Sequence, residues 1–304
     1  MKPQIVAKSA CIHENIKVKE LIGCDGIEIQ LLNDFYEHPV IEPYVDIITK
    51  HEKVIAIHAP IIGTGDNCLS SNNVEYMFQY SIYALNNLCF LAQQCAKKLG
   101  HNIAVILHIE HSYAELVYLN LYDDLKRYIY SILIACPNIS ILFENVTPLS
   151  HVDMELIRTT NNFLFDNVCL VHQLVLDDAY GVSDRLGTVL DLCHAEMSIE
   201  FCNILAKNFG DEICIPEYTL EDYFQQNQKY CDLIHLAKKV GHGTTDETHG
   251  QPMSTEDKQL LTNYMNLYKK YGYSCPIVLE VKETDYLKCY GYRNTKDLLE
   301  EVLK

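Results

Sequence analysis

Tryptophan is absent from this 304-residue chain, and arginine occurs only at positions 127, 158, 185 and 293. The formal net charge is −17. So few guanidinium groups on so acidic a chain argue against broad electrostatic binding to duplex nucleic acid or to an anionic membrane. They leave room for a small substrate held through metal ions. No apolar run approaches the roughly 20 residues that cross a bilayer, and residues 1–20 lack the charged-then-apolar order of a secretory leader. There is no CxxC pair either. The 13 cysteines are scattered, several of them (Cys136, Cys169, Cys193, Cys231) inside apolar runs, where cysteine acts as a small hydrophobe. A disulfide framework is not expected; a reducing, cytoplasmic setting is. GxGxxG, P-loop and GxSxG motifs are all missing, which removes the commonest dinucleotide, nucleotide and serine-nucleophile classes.

What is present is alternation. Short β-rich runs recur as "IVAKS" (5–9), "GIEIQL" (26–31), "VIAIH" (54–58), "IAVILH" (103–108), "ISILFE" (139–144), "TVLD" (188–191), "DLIHL" (232–236) and "PIVLE" (276–280). Most are continuously apolar, as strands covered on both faces should be. Between them lie stretches of helical spacing, such as 74–100, closed by Gly100. Another is 254–272, with Ser254 as N-cap and Asp257 in the first turn. Eight strand–helix units without a linker or low-complexity tract predict a single-domain α/β protein over 1–304, a (β/α)8 TIM barrel rather than an open doubly wound sheet. The wide interval 145–187 is expected to hold an extra loop or helix.

The ends of these runs carry the chemistry. His58, His108, Glu144, Asp191 and Glu280 each terminate a run, and His235 stands near the end of another. In a closed parallel barrel the C-terminal strand ends meet at one mouth, so these six side chains converge there. Three carboxylates in one small volume repel each other unless cations share them. Together with three imidazoles they form a donor set for zinc, manganese or iron. Taken singly, each has a plainer reading. A histidine at a strand end is more often a hydrogen-bonded structural residue, and Asp191 alone would cap the helix that contains His194. It is the succession at six strand ends that favours the metal site. The polar, Gly-rich segment "VGHGTTDETHGQP" (240–252) adds His242, Asp246 and His249; either it is a solvated loop or it folds over the mouth beside His194. His111 is a further candidate for substrate contact, or it only begins a helix. Cys193, between Asp191 and His194, is expected to pack into the barrel wall.

Taken in order, "HAP" (58–60), "LH" (107–108), "FEN" (143–145), "DLCH" (191–194), "HL" (235–236), the His249 loop and "LEV" (279–281) resemble the motifs of the xylose-isomerase-like barrels (AP endonuclease family 2). Within them the ligand pattern is closest to the endonuclease IV branch. The resemblance spans nearly the whole chain. It implies up to three metals: His58, His108 and Glu144 on the first; Glu144, Asp191, His235 and Glu280 on the second; His194, His249 and Asp246 on the third. Such a cluster implies phosphoester or phosphodiester hydrolysis with zinc, or with manganese, iron or cobalt. The isomerase and epimerase branch implies instead one ion on Glu144, Asp191, His235 and Glu280. The two glutamates would then be the catalytic acid and base, and His58, His108, His111, His194 and His242 would be available to the substrate. A binding protein that has kept the barrel and lost the chemistry is a third reading.

Two departures bear on the choice. The endonucleases space the Asp and His of the seventh loop by one intervening residue, whereas "DETH" here has two. The segments 31–40 and 61–71 carry no basic residue, so a small phosphorylated or sugar-like substrate, or a nucleic acid with a damaged or flipped-out nucleotide, is expected rather than long duplex DNA. Phe35 and Tyr36 either stack on a base or cap the barrel.

Overall fold

The protein is described by a computed structural model covering residues 2–32, 35, 40–60, 71–108, 116, 120–146, 165–209, 217–241 and 249–304, with backbone alone for 71–84, 166 and 209. The strands are β1 (Ile5–Ala10), β2 (Gly26–Gln30), β3 (Val54–His58), β4 (Ile103–His108), β5 (Ile139–Glu144), β6 (Leu186–Asp191), β7 (Cys231–Leu236) and β8 (Ile277–Leu279). Each is hydrogen-bonded in parallel to its neighbours in sequence, and β8 pairs with β1, which closes an eight-stranded barrel. The described helices are α1 (His13–Ile22), α2 (Glu42–Ile48), α3 (Ser71–Leu99), α4 (Tyr122–Ala135), α5 (Asp166–Leu176), α6 (Leu192–Phe209), α7 (Leu220–Asn227), α8 (Lys258–Lys270) and α9 (Tyr290–Val302). This is the (β/α)8 architecture that the alternation of runs predicts.

The near-continuous apolarity of the strands follows from having two covered faces. Successive side chains point to opposite sides of a strand. Ala7, Ile27, Ile29, Ile57, Val105, Ile141, Leu190, Ile234 and Ile277 therefore pack outward in the large core shared with the helices. Val6, Ala56, Ile106, Leu142, Val189, Leu233 and Val278 form a separate apolar layer inside the barrel. Two residues further along the same strands, hence on the same inward face one level higher, stand Lys8, His58, His108, Glu144, Asp191, His235 and Glu280. On β2, Gly26 pairs in register with Val6 and Glu28 follows two residues on. The barrel interior is thus an apolar plug with a ring of ionisable groups laid on top of it.

The helices lock this ring in place. On α8, Leu261, Tyr264, Met265 and Tyr268 are buried, the i, i+3, i+4, i+7 spacing of one apolar face. Burial of each such side chain contributes about 1.5–3 kcal/mol. Ser254 and Asp257 form a reciprocal capping box ahead of α8, and Gly100, at φ 78°, closes α3 with its N–H on the Ala96 carbonyl. The interval 145–187 contains α5 and returns to a strand paired directly with β5.

Candidate metal centre

The upper ring brings the six strand-end residues together, and α6 adds His194 from its first turn. Glu144 lies at the centre. Its Oε2 is 2.9 Å from His58 Nε2 and 3.3 Å from His108 Nε2. Its Oε1 is 3.3 Å from both His194 Nδ1 and His235 Nδ1. Asp191 Oδ2 lies 3.8 Å from His235 Nδ1 and 3.6 Å from His249 Nε2, and Glu280 Oε2 is 2.9 Å from His235 Nδ1. The imidazoles of His58 and His108 meet edge to face at 4.9 Å, and those of His194 and His249 stack at 4.6 Å. Asp246, His242 and His111 lie outside the described residues. His249 does reach the mouth, where it joins Asp191 as well as His194.

Donor atoms gather within 4.8 Å of one another in the groups His58–His108–Glu144, Glu144–Asp191–His235–Glu280 and Asp191–His194–His249, and also in Glu28–His58–His235. The first two contain the same residues that the resemblance implies for two ions. The third joins Asp191 to His194 and His249; Asp246, expected with them, lies outside the described residues. Glu144 is thereby shared by two groups, as is Asp191.

The polar accounting supports a cation-binding role. Glu144 Oε1, Asp191 Oδ2, His235 Nδ1, His249 Nε2 and Glu280 Oε2 are buried and make no hydrogen bond among the described residues. They face each other at close range without the alignment a hydrogen bond needs, and buried atoms left so are costly. His58 is the sharpest case: Nδ1 is 2.7 Å from the Ala59 carbonyl while Nε2 is 2.9 Å from Glu144. A neutral ring has a single N–H, so either tautomer sets a lone pair against an acceptor. Burial, followed by the charge of Lys8, lowers the His58 pKa and disfavours the doubly protonated ring. If His58 held a metal through Nε2 and donated Nδ1–H to the carbonyl, as ligating histidines usually do, both contacts would be satisfied. The donor set therefore fits divalent ions.

Without metal, the charges hold one another. Burial opposes the ionised form of Glu144, but His235 and His108 outweigh it and keep its pKa well below the usual range. Burial likewise opposes charge on His194, yet Asp191 and Glu144 push its pKa up to about 9. His235 is raised well above the ordinary histidine value by Glu28 and Glu144 against the same burial cost. Asp191 is lowered, chiefly by His194 once burial is overcome.

Asn145 builds the frame between β5 and β6. Its side-chain oxygen accepts the Asp191 N–H at 2.7 Å, its amide donates to the Asp191 carbonyl at 3.0 Å, and its own carbonyl lies 3.0 Å from His194 Nδ1. Two further residues escape a reading confined to strand ends. Glu28 is fully buried with Oε2 2.9 Å from His235 Nε2, and Lys8 Nζ lies 3.2 Å from Glu28 and 2.7 Å from Glu280. Their signal is a charged residue inside an otherwise apolar strand. Cys193 is buried against Met197 and Ala237, and burial, then Asp191, pushes its thiol pKa up, which disfavours the thiolate that a nucleophile needs. Phe35 is buried in the outer core, edge-on against Tyr44 at 5.2 Å. Tyr36 lies outside the described residues.

No family model matches the chain, and no curated protein does. Solved structures do. The apo 3-keto-D-glucoside 4-epimerase YcjR from E. coli is 12% identical, covers 99% of this chain and 100% of its own, and has a TM-score of 0.54. The IolI protein with a bound zinc atom is 15% identical over 99% and 98%, at 0.54. A xylose isomerase domain protein from Alicyclobacillus acidocaldarius is 16% identical over 99% and 98%, at 0.52. At such identities the likeness is one of fold alone: this chain shares the (β/α)8 barrel of these structures.

Proposed function

We propose that this chain is a divalent-metal-dependent hydrolase of phosphoesters or phosphodiesters, of the endonuclease IV type, with residues 1–304 forming one barrel domain. The observation that carries the reading is the sharing of carboxylates. Glu144 turns one oxygen to His58 and His108 and the other to His194 and His235. Asp191 turns Oδ2 to both His235 and His249. A single ion on Glu144, Asp191, His235 and Glu280 needs none of His58, His108, His194 and His249 as ligands, and their gathering around two shared carboxylates favours more than one ion. Zinc suits imidazole and carboxylate donors best, with manganese, iron or cobalt as substitutes.

His58, His108 and Glu144 would hold one ion, Glu144, Asp191, His235 and Glu280 a second, and Asp191, His194 and His249 a third, with Asp246 as a further donor. Bound there, the ions supply Lewis acidity and charge neutralisation at a phosphoryl centre. The chain's own residues do the rest. His58, Asp191, His235 and Glu144 form a closed floor, at most 1% exposed. His108, His194 and Glu280 keep 21%, 14% and 19% of their side chains open, so the substrate approaches from their side. The acidic surface and the buried Phe35 favour a small phosphorylated substrate, or a single flipped-out nucleotide, over long duplex DNA.

A one-ion sugar isomerase or epimerase is the second reading. It is favoured by the completeness of the Glu144–Asp191–His235–Glu280 group and by the fold shared with an epimerase such as YcjR. Against it, Glu280 is tied to the Lys8 ammonium at 2.7 Å, a poor setting for a carboxylate that must take up and release a proton. The test pairs two assays on zinc- and manganese-loaded protein: cleavage of bis(4-nitrophenyl) phosphate, and solvent-deuterium incorporation into ketoses and their phosphates. Phosphodiester cleavage with two or three bound metals is expected. Deuterium exchange with full activity at a single equivalent would overturn the hydrolase reading.

A further inference from the structure

A closed circuit of charge runs through the ring of metal donors. Lys8 Nζ is 3.2 Å from Glu28 Oε1, Glu28 Oε2 is 2.9 Å from His235 Nε2, His235 Nδ1 is 2.9 Å from Glu280 Oε2, and Glu280 Oε1 returns to Lys8 Nζ at 2.7 Å. The Lys8 side chain is 10% exposed, and it comes from the inward face of β1, where the level below is the apolar Val6. We propose that Lys8 is a resident counter-cation of the mouth. It keeps the Glu144–Asp191–His235–Glu280 group assembled before a divalent ion binds, and it confines Glu280 to one free oxygen. The proposal rests on reading that group as a metal site.

Glu28, Glu144, Asp191 and Glu280 crowd into one buried volume, and such carboxylates are costly to keep without compensating charge. Lys8 answers two of them directly and, through Glu28, fixes the His235 ring so that Nδ1 faces the donor group. The same ammonium must lower affinity for an incoming cation, because like charges repel strongly at short range in a buried site. Lys8 thus exchanges some metal affinity for a site that is already built when the metal arrives. A lysine with a merely structural role acts in the opposite sense: its loss would loosen the site and weaken metal binding, or leave it unchanged.

The experiment is titration of chelator-stripped protein with zinc alone, by calorimetry or against a chromogenic chelator, together with melting of the stripped and loaded forms. The proteins are wild type, Lys8→Met, Lys8→Arg and the double variant Lys8→Met/Glu28→Gln. Lys8→Met should bind its tightest zinc on the order of tenfold or more tightly than wild type. It should also melt lower when stripped and gain more on loading. Lys8→Arg should behave as wild type, and the double variant, which removes opposite charges together, should recover the stripped melting temperature. Unchanged or weaker zinc binding by Lys8→Met overturns the proposal. If Lys8→Met does not fold without zinc, loss of zinc from the loaded protein to a chelator decides: slower loss than from wild type upholds the proposal, and equal or faster loss overturns it. Absence of zinc binding by wild type itself overturns the metal reading and this proposal with it, and is distinguished by the lack of a binding signal in every variant.

Discussion

Asp191 and His194 are joined by the carboxylate Oδ1, which accepts the His194 backbone N–H at 2.5 Å, while the other oxygen of Asp191 faces His235 and His249. Helix cap and metal donor are therefore not alternatives for this residue; each oxygen has one task. Asp191→Asn separates them. Asparagine caps a helix about as well as aspartate, so the far-ultraviolet dichroism should be unchanged. Bound zinc should fall by at least one equivalent and phosphodiester turnover by on the order of a hundredfold or more, beyond the effect of disturbing an outer partner alone. Full metal content by plasma mass spectrometry, with full turnover, would show that only the cap matters.

His58 and His194 belong to different donor groups, and each faces one oxygen of Glu144. His58→Ala and His194→Ala should each lower the metal-to-protein ratio by about one equivalent and spare the Glu144–Asp191–His235–Glu280 group. Turnover should fall in both. If both variants keep the wild-type ratio, a one-ion site is the correct description and the two imidazoles serve the substrate.

Much of this was legible in the sequence, for a physical reason. Strands buried on both faces announce themselves as apolar runs, and a titratable residue closing such a run stands out: β3, β4 and β5 have the predicted bounds, ending at His58, His108 and Glu144. Lys8 and Glu28 sit at the same level of the barrel as those three, yet β1 and β2 continue two residues beyond them, to Ala10 and Gln30. A search of strand ends passes over them. The usable signal is alternation: in β1, and in β3 to β8 taken with Glu280 just past the last strand, the ionisable residue follows two positions after a member of the inner apolar layer. The sharing of Asp191 between donor groups was not legible, because it depends on how α6 turns His194 back over the strand end. Burial of Phe35 likewise depends on its contact with Tyr44 from α2, which sequence distance does not reveal.

Asn145 tests how far the frame around the site matters. Its side chain exchanges two hydrogen bonds with the Asp191 backbone and is 4% exposed. Asn145→Ala leaves a buried N–H and a buried carbonyl without those partners, at about 1–3 kcal/mol each when no water replaces them. Denaturant unfolding should show a loss in that range, and metal affinity should fall because the Asp191 backbone loses both side-chain bonds that hold it. Unchanged stability would mean that water takes over both bonds.

The last prediction concerns pH. In the metal-stripped protein His194 has a pKa of about 9, raised by Asp191 and Glu144 against the cost of burial, whereas an ordinary histidine titrates near 6.5. A group whose folded-state pKa is raised binds more protons when folded, so its contribution is fully present below about 6.5 and is lost as pH climbs through about 9. His235, raised for the same kind of reason, acts with the same sign. Stripped protein should therefore lose stability between about pH 6.5 and 9, by about 3 kcal/mol at most from His194. On the acid side the sign reverses. Asp191 and Glu280 have lowered pKa values, so their contributions are present above the ordinary carboxylate range and disappear as pH falls through the folded values. Metal loading changes both limbs, because carboxylate and imidazole donors alike must be free of a proton at the ligating atom; on the alkaline side each ligating imidazole gives up its proton at the donor nitrogen. Zinc affinity should accordingly rise with pH across the window in which stripped stability falls. Melting curves from pH 6 to 10, with zinc and with a chelator, should diverge steadily; parallel curves would mean that His194 and His235 do not meet the metal at all.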